Sequence, residues 1–528
     1  MTDLIDIVDE YITNFKGSVL KKDNVVYDCI LNQTNVDVNN NKFYLMQLIK
    51  GDNGKYTVWI RYGRVGIKGA IRPLTFDKEE EAIAMFMKQF RSKTGNKWSE
   101  NRNEETFNNF KYKKGKYFLT ARDYDNCGKI DDVKKINTSS DVKNVNKEVI
   151  PKVIHVDIII ADSVRSLLEF FTDKNSMMES MKEANIDIKK MPLGKINTKQ
   201  IAKAYEMLQD IGSNLDTYNH NDFNDKSSMF YMLIPVKTQG LSKLPIINNK
   251  DILIDLVQKL QLLHDLGMAN DIMKIANKQS VSKDKIIDLY YNLNCIIDQL
   301  NKNDKIYKIL EEYVENTQAP THRKMKITNI FKLERKGEEK RFNNSKFSQD
   351  VNRQLLFHGS HKNNYMSILR GRSDDNPSLG GLGFHQDDGG LRIPPMIGTD
   401  IAITGRMFGD GIYLTNTSSK SIGYMRIEYG SKRGAMLVCE AALGNQHKLK
   451  HSSCYLNANS LPSNCKSTWG LGSSTPDPSK TLILDNDVKV PMGKLIDSKV
   501  NGSLLYDEMI IYDVSACCLK YLLEVELI

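Results

Sequence analysis

The chain has 528 residues, 40% hydrophobic and 26% charged, with a formal net charge of +9. That length accommodates three or four globular domains, and no apolar run reaches the length of a membrane-crossing helix. Eight cysteines without a Cys-x-x-Cys pair, and an acidic start (Met1-Thr-Asp-Leu-Ile-Asp-Ile), argue against a zinc finger, a dense disulfide framework and a secretory signal, and point to a reducing compartment.

Taken in chain order, residues 1–20 read as a short helical or flexible leader. Residues 21–120 read as a small β-rich domain, because Val26 to Ile49 alternates with strand period and Val58-Trp-Ile-Arg-Tyr-Gly-Arg-Val-Gly66 follows. Between Lys88 and Tyr117 there are nine Lys or Arg against three Glu, a run that either binds nucleic acid or forms a solvated face. Residues 121–152 are polar and aperiodic and read as a linker. From 153 to 312 apolar residues recur at helical spacing, as in Val164…Leu167-Leu168…Phe171, so an all-α bundle is predicted, with Met177, Met178 and Met181 in helix cores. Residues 316–528 carry strand-like runs such as Gly434-Ala-Met-Leu-Val-Cys-Glu440 and Lys520 to Leu527. The expected fold is multidomain α+β: the β-rich domain, the helical bundle, and a mixed α+β domain with split antiparallel sheets. No Gly-x-Gly-x-x-Gly follows a strand there, so a Rossmann site is not expected.

Three fragments of the last region carry chemistry: His358-Gly359-Ser360, Arg406-Met-Phe-Gly-Asp-Gly-Ile-Tyr413 continuing to Ser421-Ile-Gly-Tyr424, and Tyr506-Asp507-Glu508. Each alone is common. In this order and at these distances they resemble the His-Tyr-Glu signature of poly(ADP-ribose) polymerases. Leu391-Arg-Ile-Pro-Pro395, Ala441-Ala-Leu-Gly-Asn-Gln446 and Gly470-Leu-Gly…Thr475-Pro-Asp-Pro478 are similar to further segments of that family. The resemblance implies NAD as substrate, with no metal. The bond between nicotinamide and ribose breaks, positive charge develops on the ribose, and a nearby carboxylate stabilises it, a role that falls to Glu508. By the same resemblance His358, Gly359, Ser360 and Arg392 bind NAD, Tyr413 and Tyr424 flank nicotinamide, and the Ser421 hydroxyl meets its amide. His322, Met407, Lys420 and Tyr506 match the site for an accepting ADP-ribose, which favours polymer formation. The other histidines read as surface or core residues.

The segment Val26–Tyr117 resembles the WGR domain, which in relatives binds 5′-phosphorylated DNA ends. Tyr62 stands where the domain's Trp is expected, keeping an aromatic face for end stacking, which is worth roughly 1–3 kcal/mol per base. Arg64 is read as available for phosphate or a neighbouring domain, and Lys93, Lys97, Lys113 and Lys114 as DNA contacts. Met191-Pro-Leu-Gly-Lys-Ile196…Gln200-Ile201 resembles the regulatory helical domain that blocks NAD until DNA engages.

Several positions depart from the family pattern. Residues 372–389 are a Gly-rich acidic insertion read as a mobile surface loop screening the NAD cleft. Asp410 and Asp507 replace the usual Lys and Asn, and Asp507 either raises the Glu508 pKa by like-charge repulsion or, if strand alternation holds, points to the opposite face. The chain ends Glu526-Leu-Ile528 without the Leu-Trp tail of close relatives, which makes Glu or Asp the expected acceptors rather than Ser. The expected function is a DNA-break-activated, NAD-dependent ADP-ribosyltransferase that forms poly(ADP-ribose) on itself and nearby proteins, nuclear by inference from its DNA module, with no membrane partner. A mono-ADP-ribosyltransferase, a catalytically weak DNA-end-binding scaffold and an NAD-binding sensor without transfer activity remain as alternatives.

Overall fold

A computed structural model describes residues 8–13, 16–22, 25–98, 110–120, 160–186, 198–236, 243–278, 284–371, 407–409, 411–427, 430–453 and 456–528. The linker 121–152, the stretch 191–196, the insertion 372–389, Arg392 and Asp410 lie outside the described residues. The chain divides into two compact units, one comprising 1–157, 182–204 and 218–247, the other 158–181, 205–217 and 248–528.

In the first unit, β1 (Gly17–Val19), β2 (Asp28–Asn35), β3 (Asn40–Gly51), β4 (Tyr56–Arg64), β5 (Ala70–Phe76) and β6 (Phe118–Thr120) form an antiparallel sheet ordered β5-β4-β3-β2-β6, with β1 added along β3. Helix α1 (Glu79–Thr94) crosses one face and buries Ala82, Phe86 and Phe90, a stripe at four-residue intervals, against Tyr44, Met46, Leu48, Val58 and Ile60. Three Glu in its first turn and Arg91 and Lys93 in its last complement the helix dipole, and Gly95, at φ 72°, ends it. The leader is not helical where it is described. Residues 17–19 pair with β3, and the Asp9 carboxylate accepts hydrogen bonds from Trp59 Nε1 at 3.0 Å and Arg61 Nε at 2.6 Å.

The helical region contains α2 (Asp162–Phe171), α3 (Lys174–Glu183), α4 (Thr198–Ser213), α5 (His220–Leu233), α6 (Lys250–Lys278) and α7 (Lys285–Leu293). It is shared between the units. Helix α5 belongs to the first, where Ser228 Oγ accepts from Val36 N at 3.1 Å. Helices α2, α6 and α7 belong to the second, with most of α3. Met177 and Met181 are fully buried, as helix core, whereas Met178 is only partly buried.

The rest of the second unit is built from β7 (Cys295–Gln299), α8 (Lys305–Asn316), β8 (Met325–Arg335), β9 (Arg353–Gly359), β10 (Ile412–Leu414), α9 (Ser418–Met425), β11 (Arg433–Ala442), β12 (Gln446–Leu449), β13 (Ser467–Gly470), β14 (Gly472–Pro476), β15 (Leu482–Ile483), β16 (Lys489–Val490), β17 (Leu495–Asp497), β18 (Leu504–Tyr506), β19 (Glu508–Ile511) and β20 (Cys517–Leu527). The main sheet runs β15-β16-β9-β11-β20-β8-β7; a second runs β10-β19-β13-β12 and a third β17-β14-β18. Most neighbours are antiparallel, with parallel pairs at β9–β16, β12–β13 and β14–β18. Strand β7 falls inside the span whose periodicity predicts helices. Asn294, left-handed at φ 51°, ends α7 and turns the chain into the sheet edge. Apolar residues from β8, β9, β11, β20 and α8 form the principal core, including Tyr313, Phe357, Val438 and Leu523.

Candidate active site

His358 and Gly359 end β9 at the edge of the core, where Phe357 bridges Thr415 in both directions (2.8 and 3.0 Å). This bridge brings the main sheet beside β10, and His358 Nδ1 lies 2.9 Å from the Tyr413 carbonyl. A carbonyl only accepts, so Nδ1 carries the proton and Nε2 is left as an acceptor. Burial holds the His358 pKa below its ordinary value, with the Tyr413 carbonyl opposing. The ring is thus neutral at physiological pH.

Gly359 is required by close approach: a Cβ there would stand 2.2 Å from the Ser421 carbonyl oxygen. That packing seats α9, the helix that carries Ser421 and Tyr424, against the end of β9. Tyr413 shares a face with Ile510 across β10–β19, and its hydroxyl accepts from Phe408 N (3.0 Å) and donates to the Gly409 carbonyl (2.9 Å), fixing the 407–409 loop.

Glu508 opens β19 and is 5% exposed. Its Oε1 lies 2.7 Å from Lys420 Nζ, while Oε2 is enclosed without a hydrogen-bond partner. The Tyr424 phenol sits beside the same carboxylate. Burial first and the Glu508 charge second push its pKa up. Burial also lowers the Lys420 pKa, against the pull of Glu508 and Asp507. The Ser421 hydroxyl is likewise buried without a partner. An enclosed, unsatisfied carboxylate oxygen and hydroxyl are costly unless a ligand engages them. Together with a neutral imidazole acceptor and an exposed Tyr424 ring, they suit a polar ligand carrying hydroxyls, an amide and a flat ring, as NAD does.

Of the residues expected to hold an accepting ADP-ribose, His322, Lys420 and Tyr506 come together. His322 Nδ1 is 3.2 Å from Tyr506 Oη, with the rings edge to face, and Lys420 Nζ donates to the Tyr506 carbonyl at 3.2 Å. Met407 packs partly buried beside Phe408, Leu504 and Ile510. Ser360 follows the histidine and accepts from Asn364 Nδ2 at 3.0 Å. Asn416 and Thr475 lie in segments the sequence marks, but without a role read for either; their side chains hold Asp507. The Asp507 and Glu508 carboxylates have separate partner sets, the former in the break between β18 and β19.

In the first unit, Tyr62 is 40% exposed and stacks on Tyr44 (centroids 5.7 Å apart), with Lys93 over the Tyr44 ring. Arg64 is less free than its sequence position suggests, since two of its nitrogens donate to Asn39 at 2.8 and 2.7 Å. Lys113 donates to the Gly95 carbonyl and Lys114 pairs with Asp225 at 2.8 Å. Lys97 instead lines an open cavity of about 680 Å³ with Lys88, Arg91, Lys116 and Trp98. Among these, Lys88 and Arg91 on α1 were not singled out from the sequence, although the basic run contains them. Among the described residues no helix is long and apolar enough to cross a membrane.

Comparison with known proteins identifies the family of each region. Residues 27–105 match the WGR domain, 160–291 the poly(ADP-ribose) polymerase regulatory domain, and 304–372 with 388–527 the poly(ADP-ribose) polymerase catalytic domain. The chain is 32% identical to poly [ADP-ribose] polymerase 2 of Arabidopsis thaliana over 98% of its own length and 76% of that protein. It is 31% identical to poly [ADP-ribose] polymerase 2-A of Oryza sativa, covering 71% of that protein. It is 33% identical to poly [ADP-ribose] polymerase 1 of Gallus gallus, covering 96% of this chain but 46% of that longer protein.

Proposed function

The chain belongs to the poly(ADP-ribose) polymerase family and is an NAD-dependent ADP-ribosyltransferase, and from that premise we propose that it is switched on by DNA strand breaks and builds poly(ADP-ribose) on itself and nearby proteins. In the proposed reaction the nicotinamide–ribose bond breaks, nicotinamide leaves as a neutral molecule, and positive charge develops on the ribose. Glu508 stabilises that charge more in the transition state than in bound NAD. Its second role is to orient a ribose hydroxyl and take the proton of the incoming nucleophile. His358 Nε2 and Ser360 hold the adenosine ribose, Gly359 and Ser421 the amide, and Tyr413 and Tyr424 the nicotinamide ring, with Arg392 along the adenosine. The observation that carries this reading is the pair of enclosed, unpartnered oxygens on Glu508 and Ser421 beside a neutral His358.

Polymer growth needs a second ADP-ribose next to the carboxylate. It is supported by His322, Tyr506 and Lys420, which are linked by hydrogen bonds to one another and, through Lys420, to Glu508. Activation by DNA is supported by the WGR match, the exposed Tyr62 ring and the basic cavity on α1. A 5′-phosphorylated end is the proposed ligand and a nucleus the proposed location. The test is incubation of the full chain with labelled NAD, with and without 5′-phosphorylated nicked DNA, on a denaturing gel. A high-mass smear that needs DNA is expected. A sharp band would mean single-unit transfer, equal labelling in both lanes would remove DNA from the mechanism, and no label in either lane would favour a scaffold.

A further inference from the structure

Asp507 is 1% exposed, yet the groups on its carboxylate are all neutral: Gly472 N donates to Oδ1 at 2.8 Å, and Thr475 Oγ1 and Asn416 Nδ2 donate to Oδ2 at 2.6 and 3.0 Å. A buried carboxylate with no cation of its own is expensive unless its hydrogen bonds are well made and consistent. The partners come from separate pieces of the fold. Gly472 and Thr475 lie on β14, and Gly472 runs so close that a Cβ would meet the Tyr506 carbonyl carbon at 2.4 Å. Asn416 belongs to the turn that opens α9, the helix bearing Lys420, Ser421 and Tyr424.

The same turn is tied at further points. Thr415 Oγ1 donates to the Asp507 carbonyl at 2.9 Å and accepts from Thr417 N at 3.1 Å, while the Thr415 backbone bridges Phe357, next to His358. Thr417 Oγ1 donates to Asn416 Oδ1 at 3.1 Å, which orients the Asn416 amide so that its nitrogen faces Asp507. One residue further on, Glu508 reaches back to Lys420 on the helix that this turn begins.

We propose that Asp507 is a positioning residue for the transfer step: by clamping the 415–417 turn and β14 it sets the Glu508 carboxylate at a fixed distance from Lys420 and Tyr424. The proposal rests on the role given to Glu508 above and assigns Asp507 no contact with NAD. The transition state is sensitive to this geometry, since displacing a charge-stabilising group by about 1 Å costs up to roughly a hundredfold in rate. Ground-state binding, which draws also on His358, Gly359 and Tyr413, depends on it less.

The experiment compares four full-length proteins by DNA-stimulated nicotinamide release: the natural chain, Asp507→Asn, Asn416→Asp, and the double variant. Asp507→Asn keeps the shape and the Gly472 bond but sets an amide NH2 against that of Asn416. The Thr475 hydroxyl adapts by rotating; the Asn416 amide flips only by disturbing its bond to Thr417. The double variant restores a donor facing an acceptor and leaves the Thr417 bond intact. Expected is a kcat about tenfold to a hundredfold lower in Asp507→Asn, a much smaller change in KM for NAD, and recovery of kcat in the double variant. Natural kcat in Asp507→Asn would overturn the proposal. So would a deficit that the double variant does not restore, or a melting temperature that falls while kcat is retained, which is the mark of a purely structural role. A natural chain that releases no nicotinamide while binding DNA would overturn the transferase reading itself, and the positioning role with it.

Discussion

At the scale of single residues, the site is a neutral imidazole, a carboxylate paired with one lysine, and one buried hydroxyl, that of Ser421, without a hydrogen-bond partner. Replacing Glu508 by Gln keeps the volume and removes the charge that opposes the cationic ribose; nicotinamide release should fall roughly 10²–10³-fold, read by steady-state assay. The pH response follows from His358, whose pKa is lowered by burial. Above about pH 6.5, the ordinary histidine value, folded and unfolded forms are both neutral there and pH has no effect through this group. As pH falls below that value the unfolded chain takes up the proton first, so stability declines. The Nε2 acceptor is lost only at the lower folded pKa. KM for NAD measured at falling pH should therefore stay level through about 6.5, the ordinary histidine value, and rise only as the lower folded pKa is reached. His358, Tyr413, Tyr424 and Glu508 could be singled out because their types and order form a signature. The Asp507 clamp could not, because Asn416 and Thr475 are brought to it only by the fold, and a lone Asp beside Glu reads as a charge rather than an anchor.

Between elements, close packing does what single hydrogen bonds do within the site. Gly359→Ala would drive a methyl into the Ser421 carbonyl, 2.2 Å from the ideal position. Overpacking of this kind costs about 1–3 kcal/mol, and because the displaced helix carries Ser421 and Tyr424, activity should fall together with the melting temperature. Phe171 on α2 stacks on Tyr365 at 4.6 Å with nearly parallel rings, both fully buried. Phe171→Ala should destabilise the second unit by about 3–5 kcal/mol, measured by denaturant unfolding. Helices α2 and α3 were readable because their apolar residues repeat at helical spacing over several turns. Strand β7, five residues long with Ile297 buried and Ile296 exposed, is too short for a period of two to stand out from the helical run before it. Strand β1 left no trace either: its pairing with β3 joins residues far apart in sequence.

For the whole molecule, charge at the first unit's surface is the property that salt can test. Lys113, Lys114 and Lys116 have intrachain partners, whereas Lys88, Arg91 and Lys97 line, together with Lys116, the cavity beside Trp98. Reversing those three to Glu should weaken binding to nicked DNA and make log affinity fall less steeply with log salt, the slope easing by about one for each phosphate no longer neutralised. Lys114→Ala should change little by comparison, because its ion pair with Asp225 is exposed. Equal slopes for both variants would make the cavity a bystander.

The division of the helical region bears on how the protein can be cut. Strand β7 completes the edge of the main sheet along β8, and Tyr307, Leu310 and Tyr313 of α8 fill its core. A recombinant fragment beginning at 316 would discard both and leave β8 with a bare edge, an invitation to intermolecular pairing. Exchanging 153–312 as a block with a relative would pull α5 from one core and α2 and α6 from the other. Transplantable cassettes of this chain therefore follow its two cores, which the polypeptide enters and leaves more than once.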